Sequence, residues 1–334
     1  MPLSGLGASS ARELESAVPK LPFGRVFLLA LGLLACSVGG LEGWWHSQSL
    51  LPNAPNTVDL WRFWRARIYG AGGRVVVFLG TSRIRGDVDL ELLRRSYPRY
   101  RFVQLGISGN VSPVGTLRAL SLDTAFHGIV VCELAAPFLE PSRWGEQREY
   151  FAQPLKSYPV DGLVHAYLRD HAAVLDPRLG IAPVVQHWFS DYASIVRPRC
   201  RAHFDRSLSF SDVPVTSAVG EPLLRQKPID DSSLMEGLTE VRECVRRIQA
   251  EKGSVVLVTL PSNLPSAPNA ANSGFKNLSW ERIAEITGAV CIPLDRGDSL
   301  GPFRCSDEVH LGTKQAERLT QYFASELRRK NVLD

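Results

Sequence analysis

Five short apolar runs, separated by segments with helical periodicity, restrict this chain to an open α/β sheet. Arg74 to Leu79 is predicted as the first strand, Arg101 to Leu105 as the second, and Gly128 to Leu134 as the third. Ser254 to Leu260 and Ala289 to Leu294 supply a fourth and a fifth. The runs are nearly continuous in apolar residues rather than alternating, the pattern of parallel strands covered by helices on both faces. Helices are expected over Asp89 to Ser96, Val114 to Asp123, Leu234 to Glu251 and Thr313 to Lys330, the last two with apolar residues three and four positions apart. The fold class expected is therefore α/β with a central parallel sheet.

The chain has 334 residues, 45% of them apolar, enough for one large domain or two small ones with a sizeable core. A formal charge of +4, from 38 basic and 34 acidic residues, comes without a dense basic stripe, so nucleic acid is not expected as a partner. Near the N-terminus, Val26 to Leu41 carries no charge; Lys20 and Arg25 precede it and Trp44 and Trp45 follow. This composition predicts one membrane helix over residues 26–45, with residues 1–25 as a cytoplasmic tail and the bulk of the chain extracytoplasmic. A cleaved signal peptide is an alternative, and Leu33-Leu34-Ala35-Cys36 is similar to a lipoprotein cleavage box. Residues 46–73, with Pro52 and Pro55, read as a linker and the entry to a domain over 74–334. Within that domain, residues 140–230 show no strand rhythm and read as an insertion of irregular and helical structure.

Three stretches carry chemistry. Phe78-Leu79-Gly80-Thr81-Ser82 places a serine just beyond the carboxyl end of a strand, where open α/β sheets expose their sites. Ser82 is the candidate nucleophile, and its amide a candidate oxyanion donor; a serine there can also simply cap a helix. Leu105-Gly106-Ile107-Ser108-Gly109-Asn110 ends the next strand in a turn from which the Gly109 amide and the Asn110 side chain could reach the same pocket. Ser306-Asp307-Glu308-Val309-His310 sets a carboxylate three residues before an imidazole. Asp307 would orient His310, and His310 would take the proton of Ser82, which together describes a serine esterase or acyl transferase. His165, His171, His187 and His203 lie in the insertion and lack such a setting.

The six cysteines show no spacing suited to zinc, and no cofactor or metal is expected. Cys291 with Cys305 and Cys200 with Cys244 are conceivable disulfides, and buried thiols are the alternative. A thiol enzyme built on Cys132 would need a base, and none is recognisable beside it.

In this order and in these strand contexts, the three stretches resemble the SGNH, or GDSL-type, hydrolase family over about residues 74–330. Gly80-Thr81-Ser82 looks like the Gly-Asp-Ser of that family with threonine for aspartate; Ile107-Ser108-Gly109 looks like the block that supplies an oxyanion glycine. Asp307 and His310 match its Asp-x-x-His. The resemblance implies a three-layer, flavodoxin-like fold and ester hydrolysis or acyl transfer through an acyl-serine. One block departs from the pattern: Gly-x-Asn-Asp is replaced by Glu133-Leu134-Ala135-Ala136, so the oxyanion asparagine is missing. Membrane-anchored members of the family tend to act on cell-envelope polysaccharides. An acylated, chiefly acetylated, envelope glycan is therefore the expected substrate, with lipid esters as a competitor and a membrane-bound acyl-donor protein as a candidate partner. A non-catalytic envelope-binding or assembly module would keep the same fold and anchor.

Overall fold

The computed structural model describes residues 22–47, 52–70, 74–109, 111–145, 148–151, 159–176, 200–210, 212, 229–261, 275, 278–294, 303, 305–306 and 309–334. The chain divides into two units, Met1–Leu50 and Leu51–Asp334.

The first unit contains helix α1, Phe23–Ser47. Its 25 residues span about 37 Å at roughly 1.5 Å per residue, against roughly 30 Å for a bilayer core. By length and composition α1 can cross a membrane, and a signal sequence has the same features. Phe23, Phe27, Leu28, Leu29, Leu33 and Leu34 are exposed along it.

The second unit is built on five parallel strands: β1 (Val75–Leu79), β2 (Arg101–Gln104), β3 (Ile129–Glu133), β6 (Ser254–Thr259) and β7 (Val290–Pro293). Their spatial order is β2-β1-β3-β6-β7, with every neighbouring pair parallel. Counted along this sheet the order is 2-1-3-4-5, the flavodoxin-like arrangement, and the winding reverses between β1 and β3. All five expected strands are present, each within a residue or two of its expected ends. The register pairs Val76 with both Phe102 and Ile129, which aligns the carboxyl ends of β1 and β3.

Helices cover both faces, completing the three expected layers. On one face Val75, Val77, Leu79, Val130 and Leu257 pack beneath α2 (Val58–Arg65), α5 (Pro113–Ser121), α8 (Asp231–Ala250) and α9 (Trp280–Thr287). On the other, Val76, Phe78, Val131 and Val256 pack beneath α3 (Ser82–Asp87), α4 (Leu90–Ser96) and α10 (Thr313–Arg329). Successive strand residues point to opposite faces, so a continuous apolar run feeds two cores at once. The helix starts are fixed by side-chain caps: Thr57 for α2, Asp89 for α4, Ser112 for α5, Asp230 for α8 and Ser279 for α9. Gly288, at φ +70°, ends α9 in the left-handed conformation that favours glycine.

The insertion differs from its expectation. Besides α6 (Arg148–Phe151) and α7 (Val160–His171), it contains an antiparallel hairpin, β4 (Cys200–Ala202) and β5 (Leu208–Phe210). Three-residue strands are too short for a period-two pattern to show in sequence. The hairpin is tied to the sheet through Arg206, whose guanidinium donates to the Gly106 carbonyl at 2.8 Å and to Asn56 Oδ1 at 2.9 Å. Cys244 and Cys291 are thiols, so neither conceivable disulfide forms. Burial pushes the Cys132 thiol far up and Cys291 up to about 12, which opposes thiolate chemistry at either.

Candidate active site

Strand β1 ends at Leu79, and the chain turns through Gly80 into α3 at the point where the sheet's winding reverses. The cap of α3 is Thr81, not Ser82: Thr81 Oγ1 accepts from the Arg83 amide at 3.3 Å. Ser82 is thereby left as the first helical residue, half-buried, with its hydroxyl unused by the cap.

That hydroxyl meets His310. Ser82 Oγ and His310 Nε2 are 2.8 Å apart, although 228 residues separate them in sequence. With the imidazole proton on Nδ1, the hydroxyl donates to Nε2, the arrangement in which the ring acts as a general base. His310 is half-buried, and its main chain is held on both sides. Its carbonyl accepts from the Ser306 amide at 2.7 Å and the Ser306 hydroxyl at 3.2 Å, while the following amide, Leu311, donates to Asp87 Oδ1 at 2.9 Å. The ring lies flat on Phe210 of β5, with centroids 4.0 Å apart and an interplanar angle of 10°. The β4–β5 hairpin therefore supplies one wall of the site.

Beneath the turn lies a buried carboxylate outside the three candidate stretches. Glu133, the last residue of β3, accepts from the Thr81 amide at 2.8 Å and the Thr81 hydroxyl at 3.0 Å, both on Oε2. Its Oε1 lies 3.5 Å from Arg83 Nη1, and the Arg83 guanidinium also donates to the carbonyls of Leu260 and Pro261. A threonine suits position 81 because its hydroxyl can donate to Glu133 while accepting from the Arg83 amide, which a carboxylate could not do. Gly80 is required by the same packing, since a Cβ there would stand 2.6 Å from Glu133 Oε2. The available sequence signal was a lone carboxylate closing an otherwise apolar strand.

The second stretch also arrives at the turn. Leu105 and Ile107 extend the pairing of β2 with β1 by donating to the carbonyls of Phe78 and Gly80 at 3.0 and 2.8 Å. This carries Ser108 and Gly109 past the Gly80–Ser82 turn. Arg85 of α3 anchors Ser108, with Nη1 donating to its Oγ at 2.6 Å. Gly109, at φ +112°, has a backbone that side chains disfavour, and it is exposed. Asn110 and Asp307 lie outside the described residues, as does His187. His165 is exposed on α7, and His203 pairs with Ser209 inside the hairpin. His171 and His203 line a groove of about 1130 Å³ at the β2 edge, and neither Ser82 nor His310 lines it.

Gly86 adds a test of the wall formed by Phe210. A Cβ at position 86 would stand 2.3 Å from Phe210 Cε2, so Gly86→Ala must displace the ring that supports His310. We expect a stability loss of about 1–3 kcal/mol from overpacking. Slower reaction of Ser82 with a phosphonate ester should accompany it, and unchanged reactivity would show that the stacked ring is not needed.

No family model matches the chain, and no curated protein does. Among solved structures it is similar to the Bacillus subtilis protein YxiM at 10% identity, covering 78% of this chain and 57% of that one, with a TM-score of 0.37. It is also similar to TesA at 14% identity, covering 76% and 98%, with a TM-score of 0.38. A third similar structure is the psychrotrophic esterase EstA from Pseudoalteromonas sp., inhibited by monoethylphosphonate, at 14% identity, covering 77% and 97%, with a TM-score of 0.38. This chain thus matches little more than half the length of YxiM. Likenesses this distant leave the chemistry of the site to its own geometry: a hydroxyl and an imidazole in hydrogen-bond contact at the switch point of a parallel sheet.

Proposed function

We propose that the protein is a membrane-anchored, extracytoplasmic serine esterase or O-acyltransferase acting on acyl, chiefly acetyl, esters of cell-envelope glycans. The observation that carries this reading is the 2.8 Å contact between Ser82 Oγ and His310 Nε2. Ser82 attacks the ester carbonyl while His310 takes the hydroxyl proton; the C–O bond to the alcohol breaks, and His310 passes that proton to the departing oxygen. The acyl-serine is then opened by water, giving hydrolysis, or by an acceptor hydroxyl, giving transfer. Asp307 is assigned the role of orienting His310. The amides of Ser82 and Gly109, with the Asn110 side chain, are assigned to the oxyanion. Without the asparagine expected after β3, one donor is lost, a change that costs on the order of 10² to 10³ in rate elsewhere. A slow hydrolase that is faster toward a favoured acceptor is consistent with that loss.

The test is turnover of a chromogenic acetate ester by the full chain in detergent, together with labelling by a phosphonate ester and mapping of the adduct. A single adduct on Ser82 is expected. Absence of both turnover and adduct would leave a non-catalytic envelope-binding module. For the anchor, we expect the full chain to stay in the membrane pellet through an alkaline carbonate wash and a chain lacking residues 1–50 to be released. Release of the full chain would sink the anchor reading.

A further inference from the structure

We propose that Asp87 is a positioning residue for His310, gripping the main chain that carries the imidazole and offsetting the charge the ring gains when Ser82 gives up its proton. The inference deepens the serine-enzyme reading above and rests on it.

Asp87 is the last residue of α3, the short helix that Ser82 begins, so nucleophile and carboxylate are held in one rigid turn-and-a-half. It is fully buried. Its Oδ1 accepts from the Leu311 amide, the peptide group immediately after His310, at 2.9 Å. Its Oδ2, also buried, has no hydrogen-bond partner. A carboxylate left half-satisfied in a core is costly and calls for a reason beyond packing. The charged groups acting on it are His310 from the loop before α10, Arg83 from its own helix and Glu133 from β3. Burial raises the Asp87 carboxyl against the opposing pull of His310 and Arg83, leaving it at about 7. The attraction is mutual: an ionised Asp87 favours the imidazolium. Asp87 is thus distinct from Asp307, whose role was assigned from the Asp-x-x-His spacing.

The variant Asp87→Asn keeps an oxygen for the Leu311 amide, puts an amide nitrogen where Oδ2 stands and removes the charge. It should fold. Because the folded chain holds a proton on Asp87 between its ordinary value of 3.8 and about 7 that the unfolded chain releases, stability falls with rising pH across that window. The amide of the variant cannot ionise, so at pH 8 Asp87→Asn should be at least as stable as the native chain.

The experiment is a pH titration of the His310 ring by NMR in the full chain in detergent, with ¹⁵N-labelled histidine and the resonance identified by its loss in His310→Gln. We expect the midpoint to fall in Asp87→Asn, because the variant removes the negative charge that acts on the ring. Two groups that interact by more than about one pH unit titrate together, so on this proposal the native curve should be broader than that of a single site. An unchanged midpoint overturns the proposal, and if the variant failed to fold, a sharp single-site curve in the native chain would do the same. Phosphonate labelling of the same samples separates the two claims: a shifted midpoint without any Ser82 adduct would reject the enzyme reading while leaving the Asp87–His310 coupling standing.

Discussion

Replacing Ser82 with alanine is expected to lower acetate-ester turnover by on the order of 10⁴ to 10⁶, the range seen when a nucleophile is removed from a unit of this kind. His310→Ala should fall into the same range, and the double variant should be no worse than either, because the hydroxyl is of little use without the base 2.8 Å away. The loss should leave the fold intact. Thr81, not Ser82, caps α3, and alanine is a strong helix former, so the change in stability should stay within about 0.5 kcal/mol. Turnover and thermal unfolding measured on the same preparations decide the matter. Activity retained within tenfold in Ser82→Ala would move the chemistry away from the serine altogether.

Glu133→Ala should show the opposite pattern, a large loss of stability with an indirect loss of activity. The carboxylate is 1% exposed, accepts two hydrogen bonds from Thr81 and faces Arg83, whose side chain is 10% exposed. Removing it strands the Thr81 amide and hydroxyl and takes away the carboxylate 3.5 Å from the Arg83 guanidinium. Breaking one side of a buried pair costs about 3–5 kcal/mol. In a unit of this size the loss should appear as a fall in Tm of roughly 5–15 °C. Glu133→Gln retains an acceptor for Thr81 and loses only the charge, so it should fall between the native chain and Glu133→Ala. A Tm within a degree or two of native in Glu133→Ala would mean that water replaces the carboxylate without penalty, and that Glu133 does not brace the nucleophile turn.

The five strands were legible because each is a short, mainly apolar run, β-branched above all in β1, β3 and β6, whose burial leaves a mark inside a window of five or six residues. Helices α8 and α10 were legible for the same local reason, through their three- and four-residue spacing. Ser82 and His310 could be named as candidates from strand-end position and from the Asp-x-x-His pattern. Their meeting could not be derived from local pattern, because it depends on β1 lying between β2 and β3 and on the loop before α10 reaching back over α3. The same holds for Phe210, brought to the imidazole by a hairpin too short to leave a periodic signal. Asp87, Glu133 and Arg83 look like ordinary charged residues in sequence. Burial is a property of the assembled layers, and it alone turns a carboxylate at the end of a strand into a brace for the nucleophile and a carboxylate at the end of a helix into an anchor for the base.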